Sequence, residues 1–447
     1  MGVRGWLGGR SAKALVVLAL VNLIDQIDTN ILRGVLPLLE DEFDLSDLQL
    51  GSLGFAFVFV NALATIPAGW VADRYKRTRI VGFTLLSWSG LSALAAAAQS
   101  FGQVFLARAA LGIGQAVDDP ASTSLLADYY PASHRGRVFS VQQVMFFLGS
   151  GLGIGLGGLI GAQFGWRWAF VLVGMPGSLI ALLVFALREP ARGEADGTVA
   201  QRAVEPSAAD IGFRRFMAES VRSLVAELRF IFGIRTMRYI LVGVGTLLFT
   251  VSGVGFWLAV YHDRYSGLSL EQATGLSAVV LASAGFIGTL LGGSLADRVF
   301  GTGPAGRITL VSNAILLCAG LFLASLLVGW VPLRIVLQFF GVMAIASAFP
   351  GLRASMMDVV PAESRGVSSS AFALASTVFG TALAPPLVGL LSDVFGSLVA
   401  AFYVVMPPVL VGSLILRRAK DTIAADAEAI VAQVLEAQAP QAPTPAP

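Results

Sequence analysis

Charge and cysteine are what this sequence lacks. Of 447 residues only 13% are charged, against about 25% in a soluble globular chain. A water-facing surface of ordinary composition is thereby excluded. The single cysteine, Cys318, sits in an apolar run and rules out an internal disulfide. There are two histidines. His134 falls in a basic loop, and His262 is expected with Asp263 just outside an apolar run, in water. Neither reads as a metal ligand, and no cofactor is implied. No Gly-x-x-x-x-Gly-Lys-Ser/Thr loop is present, so ATP hydrolysis is unsupported. No stretch reads as a soluble enzyme domain. The net charge of +2 makes no case for nucleic acid. The N-terminus is too short for a signal peptide ahead of the first apolar run, which reads as the first span.

What is abundant is apolar length. The chain is 56% hydrophobic, with mean hydropathy +0.77. Runs of about 20 residues, enough to cross a bilayer as helix, recur twelve times. They are Ala14–Leu39, Leu48–Ala72, Ile80–Ala98, Val104–Ala127, Val138–Ala162, Trp168–Leu187, Tyr239–Tyr261, Gln272–Ala296, Ile308–Val328, Pro332–Met357, Val367–Leu391 and Leu398–Leu416. The expected fold is an all-α polytopic membrane protein with twelve transmembrane helices. Arginines and lysines gather in alternate loops: Arg74, Lys76, Arg77, Arg79, Arg135, Arg137, Arg298, Arg307 and Arg365, with Arg4, Arg10, Lys13, Arg417, Arg418 and Lys420 at the ends. Only Arg167 and Arg264 fall in the other loops, and the first of those is acidic, Glu40 to Asp44. Positive loops stay cytoplasmic, so both termini are expected on the cytoplasmic side of the inner membrane.

The first span carries the costliest residues. Asp25, Gln26, Asp28, Asn30 and Arg33 lie within it, and a charge at membrane depth costs at least about 2.5–3.5 kcal/mol. Asp25 and Asp28, three apart, share a helix face. That face is expected to line a polar central cavity.

Between the sixth and seventh spans, residues 189–237 turn polar. The first part reads as mobile. In the second, Phe213, Phe216, Met217, Val221, Leu224, Val225, Leu228 and Ile231 recur at helical spacing, with Arg214, Arg215, Glu219, Arg222 and Arg229 opposite. Such a basic amphipathic helix fits the cytoplasmic membrane interface, or docks on the bundle. Residues 419–447 form a cytoplasmic tail. It opens on a short helical pattern and ends in a Pro-rich stretch expected to be disordered.

The halves repeat. Gly69-Trp-Val-Ala-Asp73-Arg74 matches Gly293-Ser-Leu-Ala-Asp297-Arg298, 224 residues on. Pro131-Ala-Ser-His-Arg135-Gly136 matches Pro361-Ala-Glu-Ser-Arg365-Gly366 at an offset of 230, and Arg108 matches Arg334 at 226. This implies two pseudo-symmetric six-helix bundles, residues 1–188 and 238–418.

With Gly69, Asp73, Arg74 and Arg77 between spans 2 and 3, the chain resembles the major facilitator superfamily across all twelve spans. Asp25 ahead of Gly34-Val-Leu-Pro37, Gly112-Ile-Gly114-Gln115-Ala116, Ala127-Asp128-Tyr-Tyr-Pro131 and Gly149-Ser-Gly-Leu-Gly153 are similar to its spinster branch of lipid transporters. The resemblance implies a cytoplasmic gate of Gly69, Asp73, Arg74, Arg77, Arg135, Asp297, Arg298 and Arg365. In it Gly69 allows close helix approach, and Asp73 faces the start of span 11 near Gly366. It also implies a proton-sensing role for Arg108, with Asp25, Asp28, Arg33, Gln115, Asp118 and Asp119 around it. Pro120 is expected to break span 4 just after the two acids. Two departures weaken proton coupling: the branch has Arg where Gln26 stands and Glu where Gln115 stands. The glycine run of span 5, Gly149 to Gly158, loosely resembles an antiporter motif but reads better as packing.

The leading expectation is a monomeric secondary transporter, proton-coupled, moving an amphipathic or lipid-like molecule. Gln26, Asn30, Phe146, Phe147, Phe249, Phe256, Trp257 and Arg334 are candidate cavity lining. The alternatives are a carrier of organic anions held by Arg33, Arg108 and Arg334, and an uncoupled scramblase or receptor-like protein.

Overall fold

The computed structural model describes residues 12–192, 194–196, 212–300, 304–360 and 373–429. Helices are the only extended elements there. They are α1 (Lys13–Phe43), α2 (Asp47–Arg74), α3 (Arg77–Ala95), α4 (Phe101–Gln115), α5 (Asp118–Tyr129), α6 (Ala132–Phe164) and α7 (Trp166–Phe185). After the linker come α8 (Phe213–Gly233), α9 (Arg235–Tyr265), α10 (Leu270–Val279), α11 (Gly285–Phe300), α12 (Pro304–Leu327), α13 (Val331–Asp358), α14 (Ala384–Phe395) and α15 (Leu398–Arg417). A π-helical segment, Val280–Ala284, joins α10 to α11, and another, Thr377–Ala382, precedes α14.

Among the described residues ten helices are long and apolar enough to span a membrane. The expected third and fourth spans fall short for visible reasons. Helix α3 has 19 residues and opens on Arg77 and Arg79. The fourth span is broken between Gln115 and Asp118 into α4 and α5. The ring of Pro120 clashes with the carbonyl four residues back, at Ala116. The break therefore precedes Asp118 and Asp119 instead of following them.

The repeat recurs in the turns. Four described residues have positive φ: Asp44 (50°), Gly165 (87°), Gly267 (63°) and Gly396 (64°). They pair at repeat spacing, Asp44 with Gly267 and Gly165 with Gly396. Three are glycine because a Cβ disfavours this region. Ser46 and Ser269, two residues beyond the first pair, each close a capping box with Gln49 and Gln272.

Helix α6 is the central packing element. Gly149, Gly153 and Gly157 form an i, i+4 stripe. A Cβ there would stand 2.6, 2.5 and 2.6 Å from the carbonyl oxygens of Leu23, Ile27 and Ile31 on α1. Gly151 and Gly155 face the other way, toward Ala282 and Ala278. One helix thus seals the first half and meets the second. The glycines act as packing surface, as small residues do in membrane helix pairs. By contrast, a Cβ at Gly69 would meet nothing within 4 Å among the described residues, which do not include the start of span 11.

At the other end of the chain, Thr236 N–H donates to Asp426 Oδ2 (2.8 Å), and Ile423 is fully buried. The start of the tail therefore caps α9.

Replacing Gly153 with valine should destabilise the fold by about 1–3 kcal/mol or more. Gly155→Ala, where a Cβ would meet Ala278 at an ordinary 3.5 Å, should be tolerated. Melting temperature in detergent is the measurement.

Candidate functional site: the interface between the halves

Helix α1 sends its polar side chains in three directions. Asp28 is 2% exposed and turned into the first bundle, where Ser92 Oγ of α3 donates to its Oδ1. Arg108 of α4, 1% exposed, supplies the opposing charge without a direct ion pair. Its guanidinium lies 4.8 Å from the Phe170 ring centre. Asp28 Oδ2 and Arg108 Nε and Nη2 have no hydrogen-bond partner. The placement of Asp28 and Arg108 in a central cavity is therefore corrected: both are sealed inside the bundle. Asp25 is only half-buried and accepts from Gln26 Nε2 (2.8 Å). Three residues turn a helix by about 300°, and the remaining offset is enough to put Asp25 and Asp28 in different surroundings.

The second direction faces α6. Ser150 Oγ donates to Gln26 Oε1 (3.4 Å), and Asn30 Nδ2 donates to Gln26 O (2.8 Å) and Ser150 Oγ (3.4 Å). This polar seam rides on the glycine contact, and Asn30 is buried in it instead of lining a cavity. Gln115 and Asp118 are buried too, bonded to Thr29 and Ser122 at 3.2 Å each.

The third direction is that of Arg33. It is half-buried, and its Nη1 would stand 3.8 Å from a Cβ at Gly255 of α9, in the other half. Among the described residues it has no hydrogen bond and no ion pair. Gly255 and Leu281 also line a narrow apolar cleft of about 40 Å³ in the second half, with Thr250, Val254, Phe322, Gln338 and Val342.

Several other expectations change. Trp257 is fully buried and donates Nε1–H to Pro385 O (3.0 Å), so it fastens α9 to α14 and lines nothing. Phe256 is buried against Gly54 of α2. Phe249 is half-buried against the core. Phe147 reaches across the halves to Phe286 (ring centres 6.4 Å apart), and Phe146 beside it is exposed. Arg334 donates to Val328 O, Tyr265 O (2.9 Å) and Ser266 Oγ (3.1 Å). It ties loop ends together and offers no anion site. His262 is buried, between Gln338 Oε1 (2.8 Å) and Ser266 Oγ (3.0 Å), because α9 runs on to Tyr265.

At the end of the molecule rich in arginine, Arg77 donates to Asp128, Glu189 Oε1 (2.9 Å), Ser124 Oγ (2.7 Å) and Pro190 O (3.0 Å). Asp128 and Ser124 belong to the first half, and Glu189 and Pro190 open the linker that leaves it, so Arg77 fastens one bundle and does not bridge two. Arg135 donates to Ala127 O (2.6 Å), also within that half. The Arg74 guanidinium is 5.2 Å from the Trp70 ring centre, and Arg298 is exposed. The side chains of Asp73, Asp119 and Asp297, and all of Arg365 and Gly366, lie outside the described residues.

The contact that sequence reading missed is at the opposite, acidic end. Asp393 accepts from the N–H groups of Asp47 (2.8 Å) and Leu48 (2.9 Å), at the positive end of α2. Arg264 donates to both Asp47 oxygens (2.6 and 3.0 Å) and to Glu40 (2.7 Å). Gln163 reaches Glu271 at 3.5 Å. Among the described residues, every hydrogen bond between the halves lies here. The signal was present in the sequence: Arg264 is one of two cations in otherwise acidic loops.

A profile of the Major Facilitator Superfamily matches residues 18–378. The chain belongs to that superfamily. Human protein spinster homolog 3 is 26% identical over 402 residues, 86% of this chain and 76% of that one. The cis,cis-muconate transport protein of Acinetobacter baylyi is 28% identical over 301 residues, covering 66% and 69%. The fold matches the inward-facing, unoccupied crystal structure of a bacterial homolog to the human lysosomal transporter Spinster. The TM-score is 0.75 at 22% identity, over 94% of this chain and 97% of that one. The superfamily fold thus expected from the signature between spans 2 and 3 is the one found.

Arg77→Gln removes the cation that the buried Asp128 shares with Glu189 and should cost about 3–5 kcal/mol. Glu189 is half-buried, which would raise its pKa, but the Thr78 N–H and Arg77 outweigh this and hold it below the usual carboxylate range. Its contribution is therefore full above the unfolded pKa and lost as pH falls through the lower folded value. Glu189→Gln should remove that part of the acid destabilisation, seen in melting temperature against pH. At the acidic end, Arg264→Gln should loosen the closure. Thr274, buried where α10 meets α6, reports it: Thr274→Cys should react slowly with maleimide alone and faster when combined with Arg264→Gln.

Proposed function

We propose that the chain is a secondary transporter working by alternating access on an amphipathic molecule with an anionic head. Arg33 carries this reading. An unpaired guanidinium at membrane depth is costly, and a carboxylate or phosphate would satisfy it with two parallel hydrogen bonds. The apolar cleft beside Gly255, about 40 Å³ in this arrangement, is smaller than ligand pockets, so an attached chain would enter only as the cleft widens. That a relative is named for muconate, a dicarboxylate, agrees with an anionic cargo.

Charge distribution supports an arginine-rich end in the cytoplasm of an inner-membrane protein. In that orientation the closed acidic end is the outer one, and this arrangement faces inward. Rocking the halves apart at Asp47 and Arg264 would expose Arg33 to the other side. Proton coupling is part of the reading. Asp25, half-buried on α1, and Asp118 are the carboxylates placed to take the proton. Asp28 would do so only if the first bundle opens.

Thermal-shift titration tests this with two probes, oleoyl lysophosphatidate and cis,cis-muconate. Wild-type protein should be stabilised by the lysophosphatidate. Arg33→Gln should abolish that response while leaving the unliganded melting temperature equal or higher, since a buried unpaired charge is removed. A response to muconate alone would favour the small organic-anion reading. An unchanged response in Arg33→Gln would overturn the site.

A further inference from the structure

Helix α8 has a surface that the bundle leaves uncovered. At about 100° per residue, its side chains fall into strips. Phe216, Met217, Leu224, Leu228 and Ile231 share one strip and are buried or half-buried against the spans. Val221, Val225 and Phe232 form the next strip and are exposed, by 43–54%. Arg214, Arg222 and Arg229 lie on or just beyond it, all exposed. The amphipathic pattern alone does not distinguish the two apolar strips. Only the packed structure shows that half of the apolar face is used and half remains, bordered by arginine.

The helix sits where a membrane surface would be. Ile234 alone separates it from α9, a membrane-spanning helix. Its first residue, Phe213, packs edge-on against Trp70 of α2, with ring centres 5.4 Å apart. Trp70 lies in the segment between Gly69 and Arg74, so α8 touches the gate helix of one half and leads into the first helix of the other.

We infer that α8 docks on the anionic phospholipids of the membrane surface, with Val221, Val225 and Phe232 entering the headgroup–acyl boundary and Arg214, Arg222 and Arg229 holding phosphates. Charge complementarity selects this occupant: three arginines beside one apolar strip match a surface of phosphodiesters over an apolar layer. Through Phe213 and Trp70, the lipid surface then braces the arginine-rich end of α2. The inference is independent of the cargo.

The test titrates fluorescent phosphatidylglycerol into the full-length protein in detergent, with unlabelled phosphatidylglycerol or phosphatidylcholine as competitor. Phosphatidylglycerol should compete at least about tenfold better, and the difference should shrink in high salt. Arg214→Gln, Arg222→Gln and Arg229→Gln combined should erase the preference, and the matching triple lysine variant should keep most of it. Val221→Ser with Val225→Ser should weaken both lipids alike. All these side chains are exposed, so melting temperatures in detergent should hold. Equal competition by the two lipids, a preference that survives high salt, or one that survives the glutamine variant overturns the proposal. So does a dimer, seen by light scattering, that the serine variant dissociates; the strip would then belong to a second copy. The salt arm needs no variant and decides even if a variant fails to fold.

Discussion

Backbone contact along α6 is the constraint from which the rest of the molecule follows. Glycines at four-residue spacing bring α6 against the carbonyl ladder of α1 closer than any side chain would permit. That approach fixes the rotation of α1. It turns Asp28 into the first bundle, Gln26 and Asn30 into the seam, and Arg33 toward the second half. The opposite face of α6, with Gly151 and Gly155, meets α10. The helix that orders one bundle is also the surface that meets the other.

The charges fall into classes that their surroundings explain. Asp28 and Arg108 balance each other in a closed interior, with several polar atoms left unbonded. Arg77 sits in a fully bonded cage at the arginine-rich end. Arg264 bridges two carboxylates across the halves. Arg33 alone of these four combines membrane depth and partial exposure with no partner among the described residues. The cage around Arg77 and the clamp at Arg264 use the same residue types. They differ in whether their elements belong to one half or to two.

Much of this was legible in the sequence and some was not, for definite reasons. The repeat at Asp73 and Asp297 foretold paired bundles, and paired left-handed turns at Asp44 and Gly267, and at Gly165 and Gly396, carry it into the backbone. The amphipathic pattern of residues 213–231 gave helix α8 but not which strip stays open. Trp257 and Phe256 read as cavity lining because aromatic residues near mid-span suit a ligand. They are buried because α14 and α2 come close enough to cover them. Arg334 matched Arg108 by register, yet the neighbouring loop takes its hydrogen bonds, so equal register did not give equal surroundings.

The sequence by itself determined the medium, the number of apolar runs, their duplication and the sign of charge at each end. These are set by composition and period, which act locally along one chain. The tertiary structure alone decided which of two carboxylates three residues apart is sealed, that Arg33 has no partner among the described residues, and that Asp47, Arg264 and Asp393 close the acidic end. Each depends on the distance between segments far apart in the chain, from 64 residues for Asp28 and Ser92 to 346 for Asp47 and Asp393, and such distances are fixed by packing, not by any local pattern.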